Sequence, residues 1–200
     1  CLAVPDGEPA VDTCGTGGGI VTTFNISTAA AFVAAGAGVR VAKHGNRSFT
    51  SQSGSADVLE ALGVMEPQTV EHAARLLDRC GMTFLFAPLF HPAMRHVGPI
   101  RRELGVGTIM NMLGPLANPA GVRRQVVGVA DAGRAQLIAD ALADLDCDWA
   151  LVVHARVGMD EIAPSGPTDV WEVRPGEVKR WTLEPDTPDL AGVGMESLAG

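Results

Sequence analysis

The chain has 200 residues, 46% hydrophobic and 19% charged, with a formal net charge of −8. That balance supports a sizeable globular core and excludes a disordered or fibrous chain; the acidic surplus argues against non-specific nucleic-acid binding. No apolar run approaches the roughly 18 residues of a membrane span, and the first seven residues lack the basic and apolar segments of a signal peptide. Cys1, Cys14, Cys80 and Cys147 form no CxxC pair, so neither a zinc knuckle nor a disulfide framework is expected, and a reducing cytoplasm fits.

In chain order, residues 11–14 predict a short strand that runs into Gly15-Thr16-Gly17-Gly18-Gly19. Residues 29–35 predict a buried helix, with Asn25 or Ser27 as its N-cap and Gly36 and Gly38 as its stop. Residues 39–42 predict a second strand leading into Lys43-His44-Gly45-Asn46-Arg47. A polar loop over 48–55 follows, then a helix over 56–62, and Pro67 opens another helix to about residue 80. Residues 82–87 read as a buried strand, and 91–104 as a helix kinked at Pro99. Beyond these come a strand over 125–130, an amphipathic helix over 133–145 and a strand over 149–154. Two extended runs, 169–173 and 178–183, flank Pro175-Gly176 and predict a hairpin. The alternation predicts an α/β domain: a mainly parallel central sheet flanked by helices, with a small antiparallel hairpin near the C-terminus. Both ends are abrupt, which reads as a piece of a longer chain.

Several residue groups carry chemistry. A glycine run between strand and helix lets consecutive amides converge on an anion near a helix N-terminus, although the same run serves equally as a tight turn. Asn25, Ser27 and Thr28 supply one cap and leave the other side chains for a phosphate or a hydrated metal. Lys43, His44 and Arg47 follow a strand end, where open α/β sheets bind ligands; as neighbours of the glycine run they would face it. Met94 and Arg101 are seven residues apart and share a helix face, with His91 one turn further back. That combination suits a small aromatic carboxylate, or else core packing and a surface ion pair with Glu103. Asp160-Glu161 is a hard-cation pair or solvated surface charge. His154 reads as structural.

Five blocks stand in order: GTGGG…TFNIST, VAKHGNRSFTSQSGSADVLEALGV, FAPLFHPAMRHVGPIRRELG, NMLGPLANPAG and VVHARVGMDEIAPSGPT. Together, over about residues 11–168, they resemble the anthranilate phosphoribosyltransferase family. The resemblance implies transfer of phosphoribosyl from 5-phosphoribosyl-1-pyrophosphate to anthranilate, with Mg²⁺ and without a covalent nucleophile. It implies that Gly15, Thr16, Gly17 and Gly18 cradle the pyrophosphate, and that Thr23, Asn25, Ser27, Thr28, Lys43 and Ser55 also contact that substrate. Gly15, Asn46, His91, Met94, Arg101, Gly114 and Pro115 would meet anthranilate, and Ser27, Asp160 and Glu161 would hold the metal. It further implies a cytoplasmic homodimer formed through a small helical N-terminal domain. That domain and the end of the α/β domain would lie outside these 200 residues.

The chain departs from the family pattern at three positions: Gly19 replaces an Asp, Gly107 an Arg and Gln52 a Lys. Loss of the Asp bears on the ribose–pyrophosphate end, and restoring it is expected to tighten binding of that substrate. Three other readings stay open. A pyrimidine nucleoside phosphorylase is opposed by the SGSADVLE block, and a nucleic-acid-binding paralogue by the acidic balance. A non-catalytic remnant is motivated by Gly19.

Overall fold

A computed structural model describes residues 9–48, 53–64, 69–106, 108–185 and 194–198. Its strands are β1 (Val11–Gly15), β2 (Val41–Gly45), β3 (Met82–Phe86), β4 (Arg124–Gly128), β5 (Trp149–Ala155), β6 (Thr168–Arg174) and β7 (Glu177–Leu183). They form one sheet in the order β3-β2-β1-β4-β5-β6-β7. The first five in that order run parallel; β6 and β7 are antiparallel additions at one edge. The expected α/β architecture and hairpin are both present, and the hairpin extends the main sheet through β5.

Burial explains the sequence patterns. Val41, Ala42, Lys43 and His44 are consecutive buried residues of β2, the unbroken burial of a parallel strand covered on both faces. The two faces of β3 enter different clusters. Leu85 packs with Ala73 and Leu77 of α3 (Val70–Cys80), while Phe84 packs with Ala56 and Leu59 of α2 (Ser55–Ala61). Adjacent strand residues point to opposite faces, so helices cover both sides. The largest cluster joins Ile138 and Leu142 of α7 (Ala132–Asp144) to Val127, Val152, Trp171 and Val173. Each such side chain stabilises the fold by about 1.5–3 kcal/mol on leaving water.

Local chemistry sets the helix ends. Thr69 accepts from the His72 amide at 3.1 Å and Asp131 from the Gly133 amide at 2.9 Å, each satisfying a first-turn donor. Gly81, at φ 70°, closes α3 in the left-handed conformation that glycine tolerates.

Several expectations need correction. Helix α1 (Ile26–Gly36) starts earlier than the alanine run, so Ser27 and Thr28 lie in its first turn. Asn25 occupies the N-cap position without a side-chain cap bond; its amide donates to Ser53 Oγ at 3.0 Å. Nor is this helix buried: Val33 is 73% exposed and only one side of α1 meets the sheet. The helix expected over 91–104 is α5 (Met94–Leu104), which starts three residues later and holds Pro99 inside it; a short helix, α4 (Ala87–Phe90), precedes it where none was expected, with His91 between the two. Helix α6 (Ile109–Leu113) and the 3-10 turn Gly114–Leu116 were not foreseen. Pro67, Gln52 and Gly107 lie outside the described residues. Among the described residues, no helix is long and apolar enough to cross a membrane.

Candidate functional site

The glycine run leaves β1 over the end of β4. The Thr16 amide donates to Gly128 O at 2.9 Å, and Thr16 Oγ1 accepts from the Ala130 amide at 3.2 Å. Gly17 and Gly18 then turn at φ 66° and 79°, a conformation side chains rarely adopt. The Gly17 amide donates to Asp160 Oδ2 at 2.7 Å. Two glycines make room for that acid: a Cβ on Gly15 would lie 2.6 Å from Asp160 Oδ2, and one on Gly128 only 1.6 Å from Asp160 O. At Gly19 a Cβ would lie 3.0 Å from Gly158 O, so the position that carries Asp in the resembled family is tight here.

Lys43 is 1% exposed. It lies within β2 rather than after it, and its ammonium donates to Thr13 O and to Ser27 Oγ, the latter at 3.2 Å. Burial lowers its pKa, and the Asp12 carboxylate opposes that shift. Glu161 closes the cluster. Burial, then repulsion from Asp160, push its pKa up to about 7, against the pull of Lys43 and a hydrogen bond from the Ser27 amide. Two crowded carboxylates and a hydroxyl are hard oxygen donors, which suits a divalent cation that completes its shell with water and phosphate. Among the described residues, no group of three or more His, Cys, Asp or Glu could hold a metal, so a cation here relies on that acidic pair.

A second group lies at the same strand ends. His44 is also within β2; its Nδ1 is 3.2 Å from Gly114 O, and its ring meets His91 edge-on at 5.1 Å. Burial, then His91, hold the His44 pKa down to about 4, so the ring is neutral at pH 7. A carbonyl can only accept, which places the proton on Nδ1 and leaves Nε2 a bare acceptor; Nε2 is buried without a partner. Pro115 is buried next to Gly114. Met94 opens α5, and Arg101, two turns on, donates to Asn111 Oδ1 at 3.1 Å. Asn46 follows β2, its Oδ1 accepting from the Arg47 amide at 2.8 Å.

The structure therefore brings Gly15–Gly18, Ser27, Lys43, Asp160 and Glu161 together, and His44, His91 and Gly114 beside them. Thr23 lies in the segment between the glycine run and α1. Thr28 is buried, with Oγ1 unpartnered, and Ser55 opens α2 against Gly45. Of the three basic side chains expected to face the glycine run, only Lys43 points that way. His44 turns to Gly114, and Arg47 pairs with Asp57 and Glu60 at 2.9 and 2.6 Å. His154 is structural as read, with Nδ1 2.8 Å from Val129 O.

Sequence reasoning missed Asp12 and Asn118. Asp12 is fully buried and accepts from the His44 amide at 3.2 Å and from Asn118 Nδ2 at 2.8 Å. The available signal was an acid inside an apolar strand, since lone carboxylates are almost never buried without a partner.

The chain is 54% identical to the anthranilate phosphoribosyltransferases of Thermomicrobium roseum and Herpetosiphon aurantiacus over 196 and 200 residues, covering 96% and 100% of itself. It spans 56% and 59% of their lengths. Among solved structures, the Thermus thermophilus anthranilate phosphoribosyltransferase superposes with TM-score 0.84 at 44% identity, covering 98% of this chain and 57% of that one. The Saccharomyces cerevisiae enzyme in complex with PRPP and Mg gives 0.85 at 35% identity, covering 97% of this chain and 54% of that one. The likeness drawn from the five motif blocks is thus borne out. Residues 7–200 match the α/β domain of the glycosyl transferase family, and the chain belongs to that family.

Proposed function

We propose that the complete protein transfers the phosphoribosyl group of 5-phosphoribosyl-1-pyrophosphate to the amine of anthranilate and releases pyrophosphate. One observation carries the reading: the amide of the glycine run, a buried ammonium and an acidic pair converge at the strand ends, beside the neutral His44 ring. The relatives named above support the choice of substrates.

In this reaction the C1–oxygen bond to pyrophosphate breaks, a C1–nitrogen bond forms, and the amine gives up a proton. Positive charge builds on the ribose and negative charge on the leaving group. The Gly18 amide meets that negative charge, joined by the Gly17 amide once Asp160 turns from it toward a metal; Thr16, Thr23, Asn25 and Ser55 line the same substrate, with Thr28 buried behind them. Lys43 acts as a fixed cation beneath Ser27, two of its three donors already serving Thr13 and Ser27. Ser27, Asp160 and Glu161 would hold Mg²⁺, which when bound would neutralise the departing pyrophosphate. On the acceptor side, Arg101 grips the anthranilate carboxylate, Met94 and Pro115 pack on its ring, and Gly15, Asn46, His91 and Gly114 complete the walls. No covalent nucleophile is required. Within this reading the complete protein is a cytoplasmic homodimer with a helical domain preceding these residues.

The test is loss of anthranilate fluorescence when the purified protein receives PRPP and Mg²⁺. Loss of signal with release of pyrophosphate supports the reading. Phosphate-dependent nucleoside cleavage with anthranilate untouched would replace it with a nucleoside phosphorylase. Mg²⁺-dependent pyrophosphate binding without turnover would identify a remnant.

A further inference from the structure

The two half-sites are built from different parts of the chain: the glycine run, Lys43 and residues 158–161 make one, and the His44–His91 contact with residues 111–118 makes the other. A fully buried carboxylate joins them. Asp12 places one oxygen on the amide of His44, in the strand that carries Lys43, and the other on Asn118, at the end of the segment that carries Gly114 and Pro115. Both partners are donors, so the position calls for an acceptor-only group.

Asn118 is held at three points. Its Nδ2 donates to Asp12 Oδ2 and to Ala42 O, both at 2.8 Å, and its Oδ1 accepts from the Ala120 amide at 2.9 Å. The amide cannot flip, because a flip would turn its oxygen onto two acceptors. At the other end of the segment, Gly114 O faces His44 Nδ1. The 114–118 span is therefore pinned to β2 at both ends, and Asp12 contacts both pins.

We propose that Asp12 and Asn118 are positioning residues that fix the anthranilate-side segment at a set distance from the phosphoribosyl-side strands. The proposal rests on the transfer reading for its catalytic consequence, though not for the clamp itself. Neither residue touches substrate; they act through the 114–118 segment and His44.

The experiment compares the purified protein with Asn118→Ala, and with Asn118→Ser as a second variant that keeps one donor. In Asn118→Ala, kcat/KM for anthranilate is expected to fall about 10- to 100-fold, the cost of misplacing an acceptor by about 1 Å. The PRPP dissociation constant with Mg²⁺, from calorimetry without anthranilate, should stay within about threefold, and Asn118→Ser should be intermediate. Equal losses on both substrates would overturn the positioning role.

A second readout is independent of turnover. His44 is faced by His91, Lys43 and the Gly114 carbonyl, and burial is the largest cause of its low pKa. Releasing the clamp admits water, so the His44 ring followed by NMR should titrate above its value of about 4 in either variant. An unmoved midpoint would overturn the clamp. Absence of turnover in the parent protein would instead sink the transfer reading and leave this arm intact.

Discussion

Gly128→Ala tests how tightly the site is built. Gly128 ends β4 in mid-sheet, in register with Gly15 of β1 and Val153 of β5, and its carbonyl accepts from Thr16. A methyl group there would stand 1.6 Å from Asp160 O, where real contacts stop near 3.0 Å, so something must retreat by about 1.4 Å. Strand β4 is paired on both sides and cannot yield. The Asp160 segment yields instead, and its carboxylate leaves the Gly17 amide. Overpacking costs about 1–3 kcal/mol. The lost charged hydrogen bond adds less than its full 1.5–3 kcal/mol, roughly, because the loop is exposed. A total near 3 kcal/mol should lower the urea midpoint by about 1.5 M at a slope of about 2 kcal/mol/M. In calorimetry, Mg²⁺-dependent pyrophosphate binding should weaken at least about tenfold. An unchanged midpoint with binding within twofold would refute the packing argument. Destabilisation with intact binding would remove Asp160 from the site.

Three other outcomes are expected. Gly36→Ala, at the end of α1 with open space around it and no positive φ, should stabilise the protein by about 0.5–1 kcal/mol and raise its Tm by a few degrees; a lower Tm would contradict the helix end described here. Lys43→Met removes the ammonium from Thr13 O and Ser27 Oγ together with its attraction for Asp12, and should cost about 1–3 kcal/mol in urea unfolding. Asp12→Asn, which sets an amide donor against a donor, should cost less in the Lys43→Met background than alone, and purely additive effects would show that the two charges do not interact. His44 has its folded pKa depressed to about 4 from 6.5, so as pH falls the unfolded chain takes up the proton first. Its contribution to stability is intact above pH 6.5 and declines toward pH 4 by about 3 kcal/mol in all. His44→Asn should therefore lose less stability than the parent over that interval; parallel curves would refute the burial of the ring.

The parts of the fold that could be read from sequence are those fixed by local chemistry. The glycine run, the 43–47 block and Asp160-Glu161 all fall where a strand gives way to a loop, and strand ends are where parallel sheets gather ligands. Short elements escaped. The four residues of α4 and five of α6 are too few to display a 3.6-residue period, so both went unseen. Side-chain direction escaped as well. Lys43 and His44 are adjacent in β2 and so point to opposite faces, which sends the ammonium toward Ser27 and the imidazole toward Gly114. Moving the strand end from residue 42 to 45 puts both of them inside the sheet. Asp12 and Asn118 are 106 positions apart, and nothing in either neighbourhood announces the other.

The glycine bend and the acid that meets it are separated by 143 positions. A ribosome adding about 5–20 residues per second reaches the second on the order of ten seconds after the first. During that interval the emerging chain can pair β1 with β2 and β4, yet its anion cradle has only one wall. The second wall of this candidate site is thus completed late in translation, and a stall before residue 160 would leave a sheet with an unfinished mouth.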